Sequence, residues 1–218
     1  METIERRDTP RGELVLRRDE QADRYEIISN GTFLMDTSDG RSERLLVTEA
    51  LAAGEPPRRL LIGGLGVGFS LAQAVADERL TEITVLEREP VVVEWQRAHL
   101  SRFSGDALAD PRVTVVVDDL VRWLHAEAPA DRYDAVCLDI DNGPQWTVVP
   151  GNAALYDVAG LTAVRATLAP GGTLAVWSAA AVPAFEATLG GLFHDVRVLP
   201  VEVSRGEPDV VYLARRGR

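Results

Sequence analysis

Glycines and acids spaced to hold a sugar and an amine run through the middle of this chain. Gly63-Gly64-Leu65-Gly66-Val67-Gly68 follows the apolar run Leu60–Ile62, and Glu87 closes a second apolar run, Ile83–Leu86. Gly63, Gly64, Gly66 and Gly68 let the backbone pass close under a ligand where a Cβ would collide. A carboxylate about 20 residues past the turn can accept hydrogen bonds from both hydroxyls of a ribose. The last glycine comes one residue too early for the dinucleotide fingerprint G-x-G-x-x-G, and no phosphate-binding lysine follows. The turn therefore suits a nucleoside without phosphates, such as S-adenosylmethionine.

Further acids follow two later apolar runs: Asp118 and Asp119 after VTVVV, and Asp139 with Asp141 in YDAVCLDID. In open parallel sheets, ligands bind outside the carboxyl ends of the strands, which is where these acids fall. Asp119 is placed to accept from an adenine amino group; it also stands where an N-cap for the helix LVRWL would stand. Asp139 is the candidate base. A carboxylate there can orient an attacking amine, take its proton and stabilise a cationic acceptor. The same DIDNGP segment also reads as a polar turn that ends a strand. Gln145, Trp146 and Tyr156 follow and are candidates to line an acceptor pocket.

The elements that must position these residues alternate. Residues 13–36 read as short strands (ELVLRR, RYEIIS, TFLMD), and 42–53 as a helix with Ser42 as N-cap and Leu45, Leu46, Ala50 and Leu51 on one face. Gly54 to Pro57 reads as a linker. Strands are then expected at 59–63, 82–87, 112–117, 133–139 and 172–178, with helices at 67–77, 90–100, 119–127 and 153–168. Pro170-Gly171-Gly172 reads as the stop of the last helix. VRVLPVEV and DVVYLARR, with a turn at Ser204 to Pro208, read as an antiparallel hairpin. The expectation is an α/β fold with a Rossmann-like parallel sheet plus a C-terminal hairpin, covered on both faces. It divides into residues 1–54, a β-strand section with its connecting helix, and 58–218, a nucleoside-binding domain.

Composition bounds the function. The chain has 218 residues, 46% hydrophobic and 26% charged, with a net charge of −11. That charge argues against nucleic acid as a partner and is compatible with a neutral or cationic small molecule. Cys137 is the sole cysteine, so no intramolecular disulfide forms; His99, His125 and His194 show no metal-ligand spacing. The charged N-terminus METIERRDTPRGE lacks the apolar core of a signal peptide, and no run approaches the roughly 20 apolar residues of a membrane helix. A cytoplasmic protein with no membrane partner is expected.

The motifs together resemble the spermidine synthase (polyamine aminopropyltransferase) family, within the class I S-adenosylmethionine-dependent methyltransferase fold. ISNGTFLMD is similar to that family's strand-turn-strand; LLIGGLGVG stands where it has G-G-G-D-G-G, and VLEREP where it has V-E-I-D. VVVDDLVRWL, YDAVCLDIDNGP and ALYDVAGLTAVRATLAPGGTLAVWS match its later motifs. The resemblance implies that Glu87 binds ribose, Asp119 the adenine, and that Asp139 is the catalytic base. It also implies a homodimer joined through the N-terminal strands. The family's loop aspartate, which holds the amino end of decarboxylated S-adenosylmethionine, falls on Gly66, and Asp141 is nearest to its second D-S-S-D-P acid. Its glutamine falls near Leu34, and its tyrosine-histidine pair near Leu46 and Val47. The apolar residues at the last three positions argue against transfer to putrescine, and the missing loop acid shifts the expectation to methyl transfer from intact S-adenosylmethionine to a small amine-containing acceptor. The alternatives are aminopropyl transfer from the decarboxylated donor, and a catalytically inactive nucleoside-binding homologue.

Overall fold

The computed structural model describes every residue except 54–57, 127–128, 131, 149 and 204–205. The expected linker at 54–57, the end of the helix expected at 119–127 and part of the turn at 204–208 lie outside the described residues. Two sheets make up the architecture. The first is an antiparallel meander of β1 (Glu2–Thr9), β2 (Gly12–Asp19), β3 (Arg24–Ser29) and β4 (Thr32–Asp36), paired in that order. β1 is not among the expected strands. Its sequence ETIERRDT is charged on both faces, as suits an edge strand, and pairing with β2 rather than apolar burial keeps it extended.

α1 (Arg41–Ala52) follows, burying Leu46, Val47, Ala50 and Leu51. Its cap is Gly40 with no side-chain hydrogen bond, so Ser42 is not the N-cap; its hydroxyl serves the cavity described below. The second sheet contains β5 (Arg59–Gly63), β6 (Glu82–Glu87), β7 (Val113–Val117), β8 (Tyr133–Leu138), β9 (Leu168–Ser178), β10 (His194–Val201) and β11 (Asp209–Arg215), in the order β10-β11-β9-β8-β5-β6-β7. β5 to β9 are mutually parallel, β11 runs antiparallel to β9, and β10, antiparallel to β11, forms the edge. β5 has β6 on one side and β8 on the other. The chain order reverses there, and a crevice opens at the strands' carboxyl ends.

The helices are α2 (Phe69–Val75), α3 (Pro90–Trp95), α4 (Ser101–Ser104), α5 (Leu120–Ala126), α6 (Val158–Thr167) and α7 (Pro183–Leu192). A π-helical turn, Gln96–Leu100, joins α3 to α4. The long helix expected at 153–168 is split, because Asp157 accepts from the Gly160 N–H at 2.8 Å and starts α6 afresh. Pro170-Gly171-Gly172 stops no helix; it lies inside β9, at the register shift against β8. α7 was not expected, since Gly190-Gly191 interrupts its pattern. One apolar cluster joins Leu14, Leu16 and Ile27 of the small sheet to Leu46 of α1 and to Leu60 and Val85 of the large one. The two sheets are thereby fixed against each other, with the crevice between them.

Candidate active site

A cavity of about 780 Å³ fills that crevice. Gly64, Gly66, Glu87, Asp118, Asp119, Asp139, Asp141 and Trp146 line it, as do residues with no sequence assignment: Met35, Glu43, Trp177 and Asp209. Gly63, Gly68, Gln145 and Tyr156 do not. Gly63 is packed instead, where a Cβ would press on Leu120, Leu138 and Ile140. Gly68 takes φ +87° to start α2 and lies against Gln96 and Ser104. Gln145 is exposed outside the cavity.

At one end, Glu87 is buried and held by its backbone surroundings. Its Oε2 accepts from the Leu65 N–H at 2.9 Å, and its Oε1 from the Glu89 N–H at 2.8 Å. Burial raises its pKa, and the two N–H groups oppose that shift. Each oxygen retains a lone pair, so the carboxylate is orientated yet able to accept from two hydroxyls. Gly64 runs against the end of β8 so closely that a Cβ would overlap the Asp139 carbonyl. Asp119 caps α5, its Oδ1 accepting from the Arg122 N–H at 3.0 Å, and it also faces the cavity. Asp118 accepts from Arg122 Nε at 2.9 Å, and that contact keeps its carboxyl below the usual range.

Three acids from separate elements meet at the other end. Asp139 follows β8, and its Oδ2 accepts from Ser70 Oγ of α2 at 2.9 Å. Burial, reinforced by the charges of Asp209 and Glu87, pushes its pKa up to about 6. Glu43 of α1, 8% exposed, is pushed up to about 8, first by burial and then by Asp139. Asp209, the first residue of β11, is likewise raised by burial. Ser42 Oγ stands 3.0 Å from Glu43 Oε2 and 2.8 Å from Asp209 Oδ2.

Two groups hold the loop after β8. Asp141 takes φ +52° and accepts from Asn152 Nδ2 at 2.8 Å, while Asn152 Oδ1 accepts from Arg88 at 3.1 Å. Tyr156 donates its hydroxyl to the Ile140 carbonyl at 3.0 Å and meets Phe185 edge-on. It is a buried support behind the loop rather than a wall of the acceptor pocket. Trp146, 60% exposed, stands at the mouth.

Glu43 and Asp209 escaped the sequence reading for a shared reason: each opens an apolar stretch that reads as core. A signal existed for Glu43, which falls on the same helical stripe as Leu46, Val47 and Ala50. A carboxylate on a buried stripe is costly unless it has a partner or a task. Leu46 and Val47, where the resemblance places a tyrosine-histidine pair, are fully buried core residues. Among the described residues there is no helix long and apolar enough to cross a membrane, and no His/Cys/Asp/Glu group arranged to hold a metal ion.

Comparison with known proteins adds to this geometry. A sequence model of the spermine/spermidine synthase domain matches residues 41–182. A polyamine aminopropyltransferase of Corynebacterium efficiens is 30% identical over 161 residues, 73% of this chain and 30% of that protein. One from Mycobacterium tuberculosis is 32% identical over 133 residues, 59% of this chain and 25% of that protein. Polyamine aminopropyltransferase 2 of Pseudomonas aeruginosa is 28% identical over 158 residues, 71% of this chain and 43% of that protein. The matches thus span less than half the length of each of these relatives. A spermidine synthase solved with the transition state analogue AdoDATO superposes with a TM-score of 0.84 over 99% of this chain and 74% of its own, at 14% identity. The Thermotoga maritima spermidine synthase gives 0.82 over 99% and 73%, also at 14% identity. These two establish the shared fold.

Proposed function

The chain belongs to the spermine/spermidine synthase family, and we propose that it transfers an aminopropyl group from decarboxylated S-adenosylmethionine to the amine of a small polyamine-type acceptor. The observation that carries this reading is the acidic end of the cavity, where Glu43, Asp139 and Asp209 converge from three elements. Ammonium groups are stabilised beside such a wall, and a carboxylate is repelled by it. The decarboxylated donor ends in an ammonium alone, whereas intact S-adenosylmethionine adds a carboxylate.

The expectation of methyl transfer rested on the missing acid at Gly66. Asp209, and Glu43 once it ionises beside a bound ammonium, supply negative charge to the same cavity, which that expectation did not include, and remove its basis. The relatives named above, all aminopropyltransferases, favour the same correction.

In this reading Glu87 holds the ribose hydroxyls, and the cavity beside Gly64 and Gly66 receives the nucleoside. The acceptor nitrogen attacks the aminopropyl carbon bonded to the sulfonium. A C–N bond forms, the C–S bond breaks, and its electron pair leaves on sulfur as methylthioadenosine. The acceptor's ammonium must lose a proton before its nitrogen can attack, and Asp139 takes that proton and frees the lone pair. Ser70 Oγ fixes the base by donating to Oδ2.

Incubation with putrescine and each donor in turn, followed by chromatography of the nucleoside product, tests this reading. Methylthioadenosine should appear with the decarboxylated donor. S-adenosylhomocysteine from the intact donor would instead establish methyl transfer.

A further inference from the structure

Asn152 joins two parts of the site that the sheet keeps apart. It lies in the short 3₁₀ turn Pro150–Leu155, is 6% exposed and lines the cavity. Its Nδ2 donates to Asp141 Oδ2 at 2.8 Å, and its Oδ1 accepts from Arg88 Nη1 at 3.1 Å. Arg88 follows β6 and Asp141 follows β8. Those strands flank β5, so one amide ties both walls of the crevice.

Each end of this chain of contacts bears on the chemistry. Arg88 is next to Glu87 and is itself held: its guanidinium lies 3.7 Å from Asp119 and 3.8 Å from Glu89, and its carbonyl accepts from Arg11 Nη2 at 3.0 Å. Asp141 stands two residues past Asp139 at φ +52°, a left-handed conformation that a residue other than glycine holds at a cost unless its surroundings fix it. Ser70 grips the Asp139 carboxylate from α2, while the course of the loop beyond Asp139 is fixed at Asp141. An amide suits the middle position. Its oxygen meets the guanidinium and its nitrogen the carboxylate, whereas an acid there would repel Asp141 and a base would repel Arg88.

We propose that Asn152 is a positioning residue for the transfer, whose amide registers the loop carrying Asp139 against the wall carrying Glu87. The inference rests on the reading of the cavity as an aminopropyltransferase site. Asn152 acts through Arg88 and Asp141, so its loss moves the base rather than removing a group that reacts. A misplacement of about 1 Å can cost about 100-fold in rate. The nucleoside, held by Glu87 and the glycine turn, is bound as before.

Turnover of putrescine with decarboxylated S-adenosylmethionine, set beside calorimetric affinity for methylthioadenosine, tests this. N152L replaces both bonds with apolar volume. It should lose about tenfold or more in kcat, with methylthioadenosine affinity within about threefold of wild type. N152D keeps the shape and the bond to Arg88 but sets two carboxylates face to face; it should lose a similar factor, and it poses the same question should N152L fail to fold. The cost of N152D should also depend on position 141. In D141N/N152D the new amide donates to the new carboxylate, which still accepts from Arg88. Measured against D141N alone, the N152D change should then cost no more than about twofold in kcat. N152L and N152D proteins that turn over like wild type overturn the inference. So does a cost of N152D that is the same with and without D141N, or a loss of kcat matched by an equal loss of nucleoside affinity. A wild-type protein that yields no methylthioadenosine from the decarboxylated donor overturns the reading of the cavity itself, and the inference with it.

Discussion

A hydroxyl has one proton to donate, and Ser42 Oγ lies within hydrogen-bonding distance of carboxylates on both Glu43 and Asp209. Both contacts are satisfied when one of the acids carries a proton and the other accepts. Glu43 is the more buried of the two, with a pKa pushed up to about 8, and is the natural carrier at neutral pH. Asp139, pushed up to about 6, is mostly ionised there and free to act as a base. Turnover should therefore rise as pH climbs through about 6, the range in which Asp139 loses its proton. Asp139→Asn keeps the shape and removes the base. Its turnover should fall on the order of 100-fold or more and lose that pH dependence, with little change in nucleoside affinity. A variant that turned over normally but no longer bound methylthioadenosine would move Asp139 from the chemistry to the nucleoside site.

The elements that carry the nucleoside end were the most legible part of the sequence. β5 and β6 are parallel strands buried on both faces, so they appear as unbroken apolar runs closed by a glycine turn and by Glu87. β1 was illegible because a charged edge strand is defined by its pairing, and α7 because two glycines break its period. The acidic end was hidden for a different reason. Ser42, Glu43, Ser70, Asp139 and Asp209 come together only when α1 packs against α2 and across β8, β9 and β11, and no local spacing encodes that meeting. Tyr156 shows the reverse error, an aromatic assigned to the acceptor whose hydroxyl holds the Ile140 carbonyl from behind. Tyr156→Phe should cost about 0.5–1.5 kcal/mol in stability by denaturant unfolding, the usual net worth of one hydrogen bond. Turnover should fall with nucleoside affinity preserved, because the loop following Asp139 loses a tether. A selective rise in the acceptor KM, with stability unchanged, would return Tyr156 to the acceptor pocket.

Across the whole molecule, two groups of acids have pKa values moved in opposite directions and so opposite pH behaviour. Asp23, Asp77, Asp110 and Asp118 sit beside arginines and have lowered pKa values, so their contribution to stability is lost only in acid, as they protonate. Glu43, Glu87, Asp139 and Asp209 are raised, with burial the leading cause for each. A raised carboxyl binds its proton more tightly folded than unfolded. Its contribution to stability is complete below the unfolded pKa and is lost as pH rises through the folded one. For Glu43 that window runs from the ordinary value of 4.5 to about 8. Wild type should accordingly be less stable at pH 8 than near pH 5, by on the order of a few kcal/mol in urea unfolding. Glu43→Gln cannot ionise, so it should flatten this slope, match wild type closely near pH 5 and exceed it at pH 8. Putrescine added at pH 8 should raise the wild-type midpoint more than that of the glutamine variant, since a bound ammonium offsets the charge that Glu43 acquires. Parallel stability profiles for the two proteins would place the buried proton on another acid of the cavity.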